Sequence, residues 1–583
     1  MLGTVQFAWR RTSVSIRSTA HEGRVATAKA DTMPAYDSRL TRQVEPFRLP
    51  TGRRLPSAQR NPVVSVLDEI VATGIVGLDE VLLGGVPRQN NILVEGAPGT
   101  GKTTLGLGFI HAGAARFNEP GVIVSFELEP DKLLRDARAF ELDLERHVKE
   151  GRVRILQTTP AVLLSEFRSP DGAFRNELTS IGAKRLLIDG LTPLRLYAEM
   201  HDLPFREDVH LLVEGLTRLG VTTMVTAERD DGSHHAHPHE RFVFDTIIEL
   251  SRHEAKRRVH RALSVIKSRG QDYINGSHTM RIESGAGVLV YRRAQSRPKI
   301  LEEQPTSKQR LSTGCPALDI LLDGGLYEGS ITMATGISGT GKTVLGVQYL
   351  AAAVQAGKRA LLVTLDEHPQ QLIRNAATLG FDVQRMIDEG AFHIHYESPL
   401  ELELDVHFDR VAKLVDELGI QCIVFDSIAV YEMSSPHEAS DYLYAIANFV
   451  KGRLATAILN YESPELLGLS QISEELKGSH LVDNIILLSY VEISTNLRRA
   501  IAVPKVRGSA NVQVTREYAI GMGGIALLDE TPAETSAVPQ LPFSSYYGLL
   551  ARSPSRRSPA IDEAISQGKP IPEATPLPLE QPI

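Results

Sequence analysis

The stretch Gly96-Ala97-Pro98-Gly99-Thr100-Gly101-Lys102-Thr103 has the spacing G-x-x-x-x-G-K-[ST], and the spacing returns in Gly336-Ile337-Ser338-Gly339-Thr340-Gly341-Lys342-Thr343. In such a loop the glycines let successive backbone N–H groups face nucleotide phosphates. The lysine contacts the β and γ phosphates, and the threonine hydroxyl binds Mg²⁺. The sequence therefore predicts ATP and Mg²⁺ as cofactors. The predicted nucleotide-binding residues are Gly96, Gly99, Thr100, Gly101, Lys102, Thr103 and Thr104 in the first copy, and Gly336, Gly339, Thr340, Gly341, Lys342, Thr343 and Val344 in the second.

The two loops belong to a long internal repeat. Thr73-Gly74 matches Thr313-Gly314 at an offset of 240 residues, the same offset that separates Lys102 from Lys342. Further along, Asp189 matches Asp426 at an offset of 237. A period of this length indicates a duplicated domain rather than a solenoid.

Within each copy, strand patterns alternate with helical patterns. In the first copy a strand is predicted over residues 91–95, a helix from Lys102 onward, and a further strand over 121–126. This order is typical of an α/β fold with a mostly parallel sheet flanked by helices. The expected fold is therefore two tandem P-loop NTPase domains.

Composition sets the boundaries of these domains. The chain has 583 residues, 42% of them hydrophobic, and no apolar run long enough to span a membrane. We expect a disordered basic extension over residues 1–60, a first domain over 61–293, a polar linker over 294–308, a second domain over 309–529 and a disordered Pro-rich tail over 530–583.

Charge and cysteine content indicate where the protein works. Residues 1–60 carry a net charge of +7 although the whole chain carries −8, so the remainder is acidic. An acidic body is a poor general binder of nucleic acid. The two widely spaced cysteines, Cys315 and Cys422, fit a reducing cytoplasm. We expect a cytoplasmic protein with no membrane contact.

Carboxylates follow several predicted strands. Asp189 and Asp426 each end an apolar strand and are predicted to hold the metal together with Thr103 and Thr343. Hydrolysis needs a further carboxylate that orients water beside the γ-phosphate. The candidate catalytic residues are Glu127, Glu129, Asp366 and Glu367, although solvated strand-end acids are an alternative interpretation.

A K-x-R-G pattern occurs late in each copy, at 267–270 and 505–508. Alternate residues of a strand point the same way, so its two cations project together. Placed against the γ-phosphate of a neighbouring subunit, they would stabilise charge in the transition state. The predicted trans-acting residues are Lys267, Arg269, Lys505 and Arg507, and a solvated basic face is the alternative.

These motifs together resemble the KaiC family of ATPases, the double-domain relatives of RecA and RadA. The resemblance rests on Thr73-Gly74-Ile75, Gly77-Leu78-Asp79 and Gly84-Gly85 before the first loop, the acidic strand end followed by proline, and the K-x-R-G segments. It implies two RecA-like domains in a homo-oligomeric ring, usually a hexamer, with ATP at subunit interfaces and lysine and arginine supplied by the next subunit. It also implies an unidentified regulatory protein partner.

The chain departs from the family pattern in two places. The family has adjacent glutamates at the catalytic strand end, whereas here Leu128 follows Glu127, so the first domain lacks one of the two acids that the resemblance implies for hydrolysis. The clock protein of the family phosphorylates its own neighbouring Ser and Thr, and here Ser479 matches the Ser while His480 stands at the Thr position. The resemblance thus leaves Ser479 as a single possible phosphoacceptor, and timekeeping is not carried over.

The expected function is an Mg²⁺-dependent ATPase that acts as a ring-shaped regulatory switch, with possible serine/threonine autokinase activity in the second domain. Its catalytic water would lie beside Glu127 or Glu367. A nucleotide-stabilised signalling scaffold with little turnover is one alternative. A DNA-dependent recombination ATPase is another, which the acidic body disfavours. The histidines at 234, 235, 237 and 239 are interpreted as a solvated loop that binds metal only adventitiously.

Overall fold

Each phosphate loop follows a strand that is buried on both faces. In the computed structural model, Ile92 and Val94 face one hydrophobic core of the first domain, and Leu93 faces the other. In the second domain Met333 and Ala334 likewise face different cores. Successive side chains of a strand point to opposite faces, so a strand covered on both sides is apolar throughout. These apolar runs therefore form the central strands of each sheet.

The structure describes residues 70–168, 172–201, 204–229, 241–255, 258–294, 307–462, 480–493, 496–509 and 514–528, all within one compact unit. The predicted extension over residues 1–60, the tail over 530–583 and residues 295–306 of the linker lie outside these ranges.

The first domain contains strands β1 to β11 and helices α1 to α8. The strands are β1 (Ile70–Val71), β2 (Val86–Pro87), β3 (Asn91–Gly96), β4 (Gly121–Ser125), β5 (Val153–Gln157), β6 (Arg185–Asp189), β7 (Thr222–Glu228), β8 (Thr246–Ala255), β9 (Arg258–Ser268), β10 (Ser277–Glu283) and β11 (Gly287–Tyr291). The helices are α1 (Leu78–Val81), α2 (Lys102–Arg116), α3 (Pro130–Arg138), α4 (Leu144–Lys149), α5 (Pro160–Arg168), α6 (Ala173–Ser180), α7 (Thr192–Met200) and α8 (Phe205–Leu219).

The second domain repeats the strand order with β12 to β22. Its described helices are α9 to α15, with α13 alone in the place of α5 and α6. The strands are β12 (Arg310–Leu311), β13 (Leu326–Tyr327), β14 (Ile331–Gly336), β15 (Ala360–Thr364), β16 (Phe392–Tyr396), β17 (Cys422–Asp426), β18 (Thr456–Glu462), β19 (Asn484–Ile493), β20 (Asn496–Val506), β21 (Thr515–Gly521) and β22 (Gly524–Leu527). The helices are α9 (Pro316–Leu321), α10 (Lys342–Gln355), α11 (Pro369–Thr378), α12 (Val383–Asp388), α13 (Leu404–Leu418), α14 (Ala429–Ser434) and α15 (Ala439–Gly452).

Each domain has one nine-stranded sheet, with order β11-β10-β9-β8-β3-β7-β6-β4-β5 in the first and β16-β15-β17-β18-β14-β19-β20-β21-β22 in the second. In the first sheet, parallel pairing joins β8, β3, β7, β6, β4 and β5, and in the second it joins β16, β15, β17, β18, β14 and β19. The remaining strands, β9 to β11 and β20 to β22, pair antiparallel. The predicted fold, two tandem RecA-like domains with mostly parallel sheets, is confirmed.

The Thr-Gly and Leu-Asp residues of the repeat form one local structure. The Asp79 carboxylate accepts hydrogen bonds from the Thr73 amide at 2.6 Å and from the Thr73 hydroxyl at 2.7 Å. Asp319 accepts the equivalent pair from Thr313 at 2.8 and 2.6 Å. These bonds fix the turn that leads into the short helix before each central strand.

The two domains contact each other through β10 and the start of α13. The Arg281 guanidinium lies 2.9 Å from Glu403, and the Thr279 hydroxyl donates to Asp405 at 2.9 Å. Asp405 also accepts from the Ala294 amide at 3.0 Å. Among the described residues, the helices are too short or too polar to cross a membrane.

Candidate functional site

Both phosphate loops hold their lysine against the loop itself. Lys102 Nζ donates to the carbonyl oxygens of Gly96 and Ala97 at 2.9 and 3.0 Å. Lys342 Nζ donates to those of Gly336 and Ile337 at 2.8 and 3.0 Å. Burial lowers the pKa of both lysines. A phosphate group in the loop would offer each ammonium a stronger acceptor than these carbonyls.

The backbone of each loop needs glycine before the lysine. Gly101 and Gly341 are the N-cap residues of α2 and α10, with φ of 106° and 95°. A Cβ added at Gly101 would lie 2.5 Å from Ile282, so both conformation and space exclude a side chain. Thr100 and Thr340 are buried and donate to carbonyls of their own loops at 2.9 and 2.8 Å. Thr104 and Val344 follow within the first helical turn, half-buried.

The predicted metal ligands lie together in both domains. The Thr103 hydroxyl lies 3.1 Å from the nearer carboxylate oxygen of Asp189, at the end of β6. In the second domain Thr343 lies in the first turn of α10 and Asp426 ends β17, and Thr343 opposes the rise that burial causes in the pKa of Asp426. A hydroxyl and a carboxylate at the carboxyl edge of a parallel sheet are oxygen ligands of the kind that Mg²⁺ prefers. These residues therefore fit the ion, which would bind between the paired side chains.

The candidate catalytic acids occupy equivalent positions in the two domains, in the register that the sequence predicts. Ser125 Oγ accepts from the Leu128 amide at 3.1 Å, and Thr364 Oγ1 accepts from the Glu367 amide at 3.2 Å. Leu128 is thus the counterpart of Glu367, and Glu127 the counterpart of Asp366.

Glu129 occupies a different kind of position. It is the N-cap residue of α3, where the second domain has His368 at the start of α11. Leu128 packs against the hydrophobic core of its domain. The first domain therefore presents one carboxylate at this strand end where the second domain presents two.

The acids of the second domain influence one another. Burial raises the pKa of Asp366, and the neighbouring Asp426 and Glu462 charges raise it further. Burial also raises the pKa of Glu367, again with a contribution from Asp426. Asn375 Nδ2 lies 3.4 Å from Glu367 Oε2 and holds that side chain. A carboxylate with a raised pKa is better matched to proton transfer near neutral pH.

The K-x-R-G cations lie at the amino ends of the parallel strands, whereas the phosphate loop of the same domain lies at the carboxyl ends. Lys267 pairs with Ile247, which is level with Leu93 near the start of β3. Lys267 Nζ donates to the Phe244 carbonyl at 2.6 Å, and Arg269 donates to the Phe242 carbonyl at 2.9 Å. The structure thus does not bring these cations to the loop of their own domain.

The second domain repeats this arrangement. Lys505 donates to the Val482 carbonyl at 2.9 Å, and Arg507 donates to the His480 carbonyl at 2.8 Å. Burial lowers the pKa of Lys505, as it does that of Lys267.

Sequence reasoning missed two residues that lie over the phosphate loops. The Tyr490 hydroxyl donates to the Gly339 carbonyl at 2.7 Å. In the first domain the same place is taken by Arg252, whose Nη1 would lie 3.8 Å from a Cβ added at Gly99. Both residues sit on the strand next to the central one, so only the strand order reveals them.

A pair of strand-ending acids was also missed. Glu228 and Glu462 end β7 and β18, level with Gly96 and Gly336. Both act electrostatically on the loop lysines, raising their pKa against the effect of burial. Their recurrence in both copies was the available signal.

Two sequence-based predictions lie outside the described residues. Ser479 directly precedes a described segment that begins at His480, and the histidines at 234–239 fall within 230–240. The described cysteines, Cys315 and Cys422, are both buried and unbonded to each other.

Comparison with known proteins gives consistent matches over most of the chain. The family model described as "ATPase: KaiC" matches residues 71–295 and again 311–532. The circadian clock oscillator protein KaiC of Picosynechococcus sp. is 30% identical over 526 residues, covering 87% of this chain and 96% of the relative. KaiC of Thermostichus vulcanus is 29% identical over 528 residues, with the same coverage. KaiC of Prochlorococcus marinus subsp. pastoris is 30% identical over 505 residues, covering 83% of this chain and 94% of the relative.

Proposed function

Because this chain belongs to the KaiC family of ATPases, we propose that it is a cytoplasmic, ring-forming ATP hydrolase that depends on Mg²⁺ and acts as a regulatory switch on a protein partner. The observation that carries this proposal is the paired site itself. Each domain holds a loop lysine, a hydroxyl–carboxylate pair and a strand-end acid at one edge of a parallel sheet. That set binds a nucleoside triphosphate and can direct water at its terminal phosphate.

Nucleotide binding would use the loop amides together with Lys102 or Lys342. Each lysine now donates to carbonyls of its own loop, and burial lowers its pKa. The negative charge of a triphosphate would stabilise the charged ammonium in this buried place. Mg²⁺ would be held by Thr103 with Asp189, or by Thr343 with Asp426, and when bound it neutralises charge on the phosphate oxygens.

The water that attacks the γ-phosphate would be oriented by Glu127 in the first domain. In the second domain the alignment favours its counterpart Asp366 for this role over Glu367, the residue that the sequence analysis named. Glu367 adds a second carboxylate beside Asp366, with a pKa that burial also raises. In the first domain Leu128 stands at the Glu367 position and can accept no proton. We therefore assign the faster hydrolysis to the second domain.

Subunit contacts would complete each site. Lys267 with Arg269, and Lys505 with Arg507, lie at the far edge of their own sheets. In a closed ring, usually a hexamer in this family, one subunit would present that edge to the phosphate loop of the next. The added positive charge would then stabilise the transition state from outside the chain that binds the nucleotide.

Autophosphorylation would use Ser479 as the acceptor. Ser479 immediately precedes His480, whose carbonyl oxygen accepts a hydrogen bond from the Arg507 guanidinium at 2.8 Å. Ser479 is thus the chain neighbour of a residue that a proposed trans-acting cation contacts, and we propose the γ-phosphate of a neighbouring subunit as its phosphate donor. His480 replaces the second acceptor of the clock protein, so no two-site cycle is proposed.

A second candidate function is favoured by Leu128 alone. The first domain could bind ATP chiefly to hold the ring together, as in a nucleotide-stabilised scaffold, because one of its two strand-end positions carries no acid. In that case ring assembly would survive Glu127→Gln, which preserves nucleotide binding and removes the carboxylate.

The test is incubation of the full chain with γ-³²P-ATP and Mg²⁺, following free phosphate and protein-bound label together. The proposal expects phosphate release, with label that disappears in Ser479→Ala. Release without label would remove the autokinase and leave a plain ATPase switch. Neither signal, with ATP still bound, would replace the proposal with the scaffold.

A further inference from the structure

A compact cluster of histidine and carboxylate side chains lies outside the nucleotide sites of the second domain. His395, Glu397 and His407 each offer one ligand atom, and these atoms all lie within 4.8 Å of one another. His395 lies on β16, Glu397 follows that strand, and His407 lies in the first turn of α13. Two imidazoles and one carboxylate are a donor set typical of divalent zinc and related transition metals.

The first domain shows that the fold does not need this cluster. β5 and β16 have the same place in their sheets, with Val153 paired to Gly121 and Phe392 paired to Ala360. In this alignment Leu156 of the first domain is equivalent to His395 of the second, and Thr158 is equivalent to Glu397. One chain therefore builds the same position once from an aliphatic and a neutral side chain, and once from ionisable ones.

The cluster has one unused donor atom. His395 Nε2 is buried and forms no hydrogen bond with the described residues. It lies 3.7 Å from Glu397 Oε2, too far for a hydrogen bond and close to the separation of two ligands on one tetrahedral ion. A buried nitrogen without a partner is costly, and a metal ion would satisfy it.

Hydrogen bonds to neighbouring side chains orient the other two proposed ligands, Glu397 and His407. Arg410 Nη1 holds Glu397 Oε1 at 2.9 Å, which leaves Oε2 facing His395 and His407. His407 Nδ1 lies 2.7 Å from that oxygen, and its Nε2 lies 3.0 Å from the Tyr431 hydroxyl. Metal-binding histidines commonly donate their second ring N–H to an oxygen atom in this way.

We propose that His395 Nε2, Glu397 Oε2 and His407 Nδ1 bind one divalent transition-metal ion of the zinc class, with water as the fourth ligand. On binding, the metal replaces the hydrogen bond between His407 Nδ1 and Glu397 Oε2. The imidazole proton moves from Nδ1 to Nε2 and is donated to the Tyr431 hydroxyl, so neutral His407 loses no proton to solvent. The ion would tie the first turn of α13 to the end of β16. That turn directly follows Glu403 and contains Asp405, and both residues contact the first domain.

The experiment is a Co²⁺ titration of the untagged full chain, read by visible absorption, followed by displacement with Zn²⁺. All samples carry alanine at the four histidines 234, 235, 237 and 239, so that this segment of the sequence cannot supply the signal. The test variant is His395→Leu, which installs the residue that the first domain has at this place. The control is His393→Gln on the same strand, a histidine that bonds to the Gly390 carbonyl.

The proposal expects an intense tetrahedral Co²⁺ spectrum at one equivalent, unchanged in His393→Gln and lost in His395→Leu. Circular dichroism of His395→Leu shows whether it is folded. If it is not, the double variant His395→Leu with Glu397→Thr reproduces the first-domain pair and replaces it in the test. Absence of the tetrahedral spectrum in the parent chain, or its survival in the folded test variant, overturns the proposal.

Discussion

The proposed trans-acting cations can be tested by mixing two inactive variants. Lys505 pairs with Ile485, which is level with Met333, three residues before the end of β14. Two strand spacings and three residues of rise place the Lys505 Cα about 14 Å from the end of β14. The Arg507 Cα lies about 19 Å away, beyond the reach of its side chain. The cations therefore cannot serve the loop of their own domain.

The perturbation is a mixture of Lys342→Ala and Arg507→Ala chains, both carrying Glu127→Gln to remove first-domain hydrolysis. Each variant alone should retain under about 1% of second-domain turnover, because a missing phosphate-binding or finger cation costs 10³-fold or more. In a randomly mixed ring, an interface is intact only when an Arg507→Ala chain supplies the loop and a Lys342→Ala chain supplies the arginine. This occurs at about one interface in four, whatever the ring size.

The assay is steady-state phosphate release after the chains are mixed without nucleotide and then given ATP and Mg²⁺. We expect an equal mixture to recover about 25% of the turnover of the Glu127→Gln parent. Co-purification of two differently tagged chains is the control that the subunits exchange. If the subunits exchange but phosphate release does not recover, trans action is refuted. Cations that served the loop of their own chain could not restore activity, because every chain in the mixture lacks either its loop lysine or its arginine.

Three further predictions follow from particular contacts. Arg185→Met should lower the free energy of unfolding of the first domain by about 3–5 kcal/mol in denaturant unfolding. Arg185 is buried and bonds to Glu119 at 2.7 Å, so its loss would leave that carboxylate incompletely paired. A loss below about 1 kcal/mol would contradict this. The second domain should lose thermal stability as pH falls, first below about 6.5, where His407 gains a proton only on unfolding. A further loss should follow from pH 4.5 towards about 2, where Glu397 stays ionised only in the fold; the unfolding midpoint of Glu397→Gln should fall less steeply over that lower range, and an unchanged slope would exclude Glu397. Leu128→Glu in an Asp366→Asn background should raise phosphate release on the order of tenfold, because it adds a second carboxylate to the nucleotide site of the first domain. An unchanged rate would show that residue 128 does not take part in hydrolysis.

Local sequence determined the parts of the structure that depend on neighbours in the chain. The glycines before Lys102 and Lys342 must adopt positive φ at the start of a helix, and the spacing that predicts this is contiguous. Asp189 and Asp426 end strands of parallel sheets, and parallel strands end at the same edge, so their approach to the loops could be predicted.

The remaining parts of the site depend on the order of strands in each sheet. Glu129 stays a candidate catalytic acid by sequence, and the structure adds that it is the N-cap residue of α3. Tyr490 reaches the second loop from an adjacent strand that lies more than a hundred residues away in the chain.

The cluster of His395, Glu397 and His407 could not be assembled from sequence for a related reason. The first two residues alternate along the end of one strand, and the third lies on a helix after an intervening loop. Spacing along the chain does not show which of these side chains turn inward. Only the fold brings His395 Nε2 and His407 Nδ1 to the same carboxylate.

The proposed function requires two unequal sites that hydrolyse ATP with Mg²⁺. The most direct measurement is steady-state phosphate release by the wild-type chain, by Lys102→Ala, by Lys342→Ala and by the double variant, each with and without EDTA. We predict metal-dependent release by the wild type, a larger loss in Lys342→Ala than in Lys102→Ala, and none above background in the double variant. Release that persists in the double variant, or a wild type that binds ATP and releases no phosphate, would contradict the account.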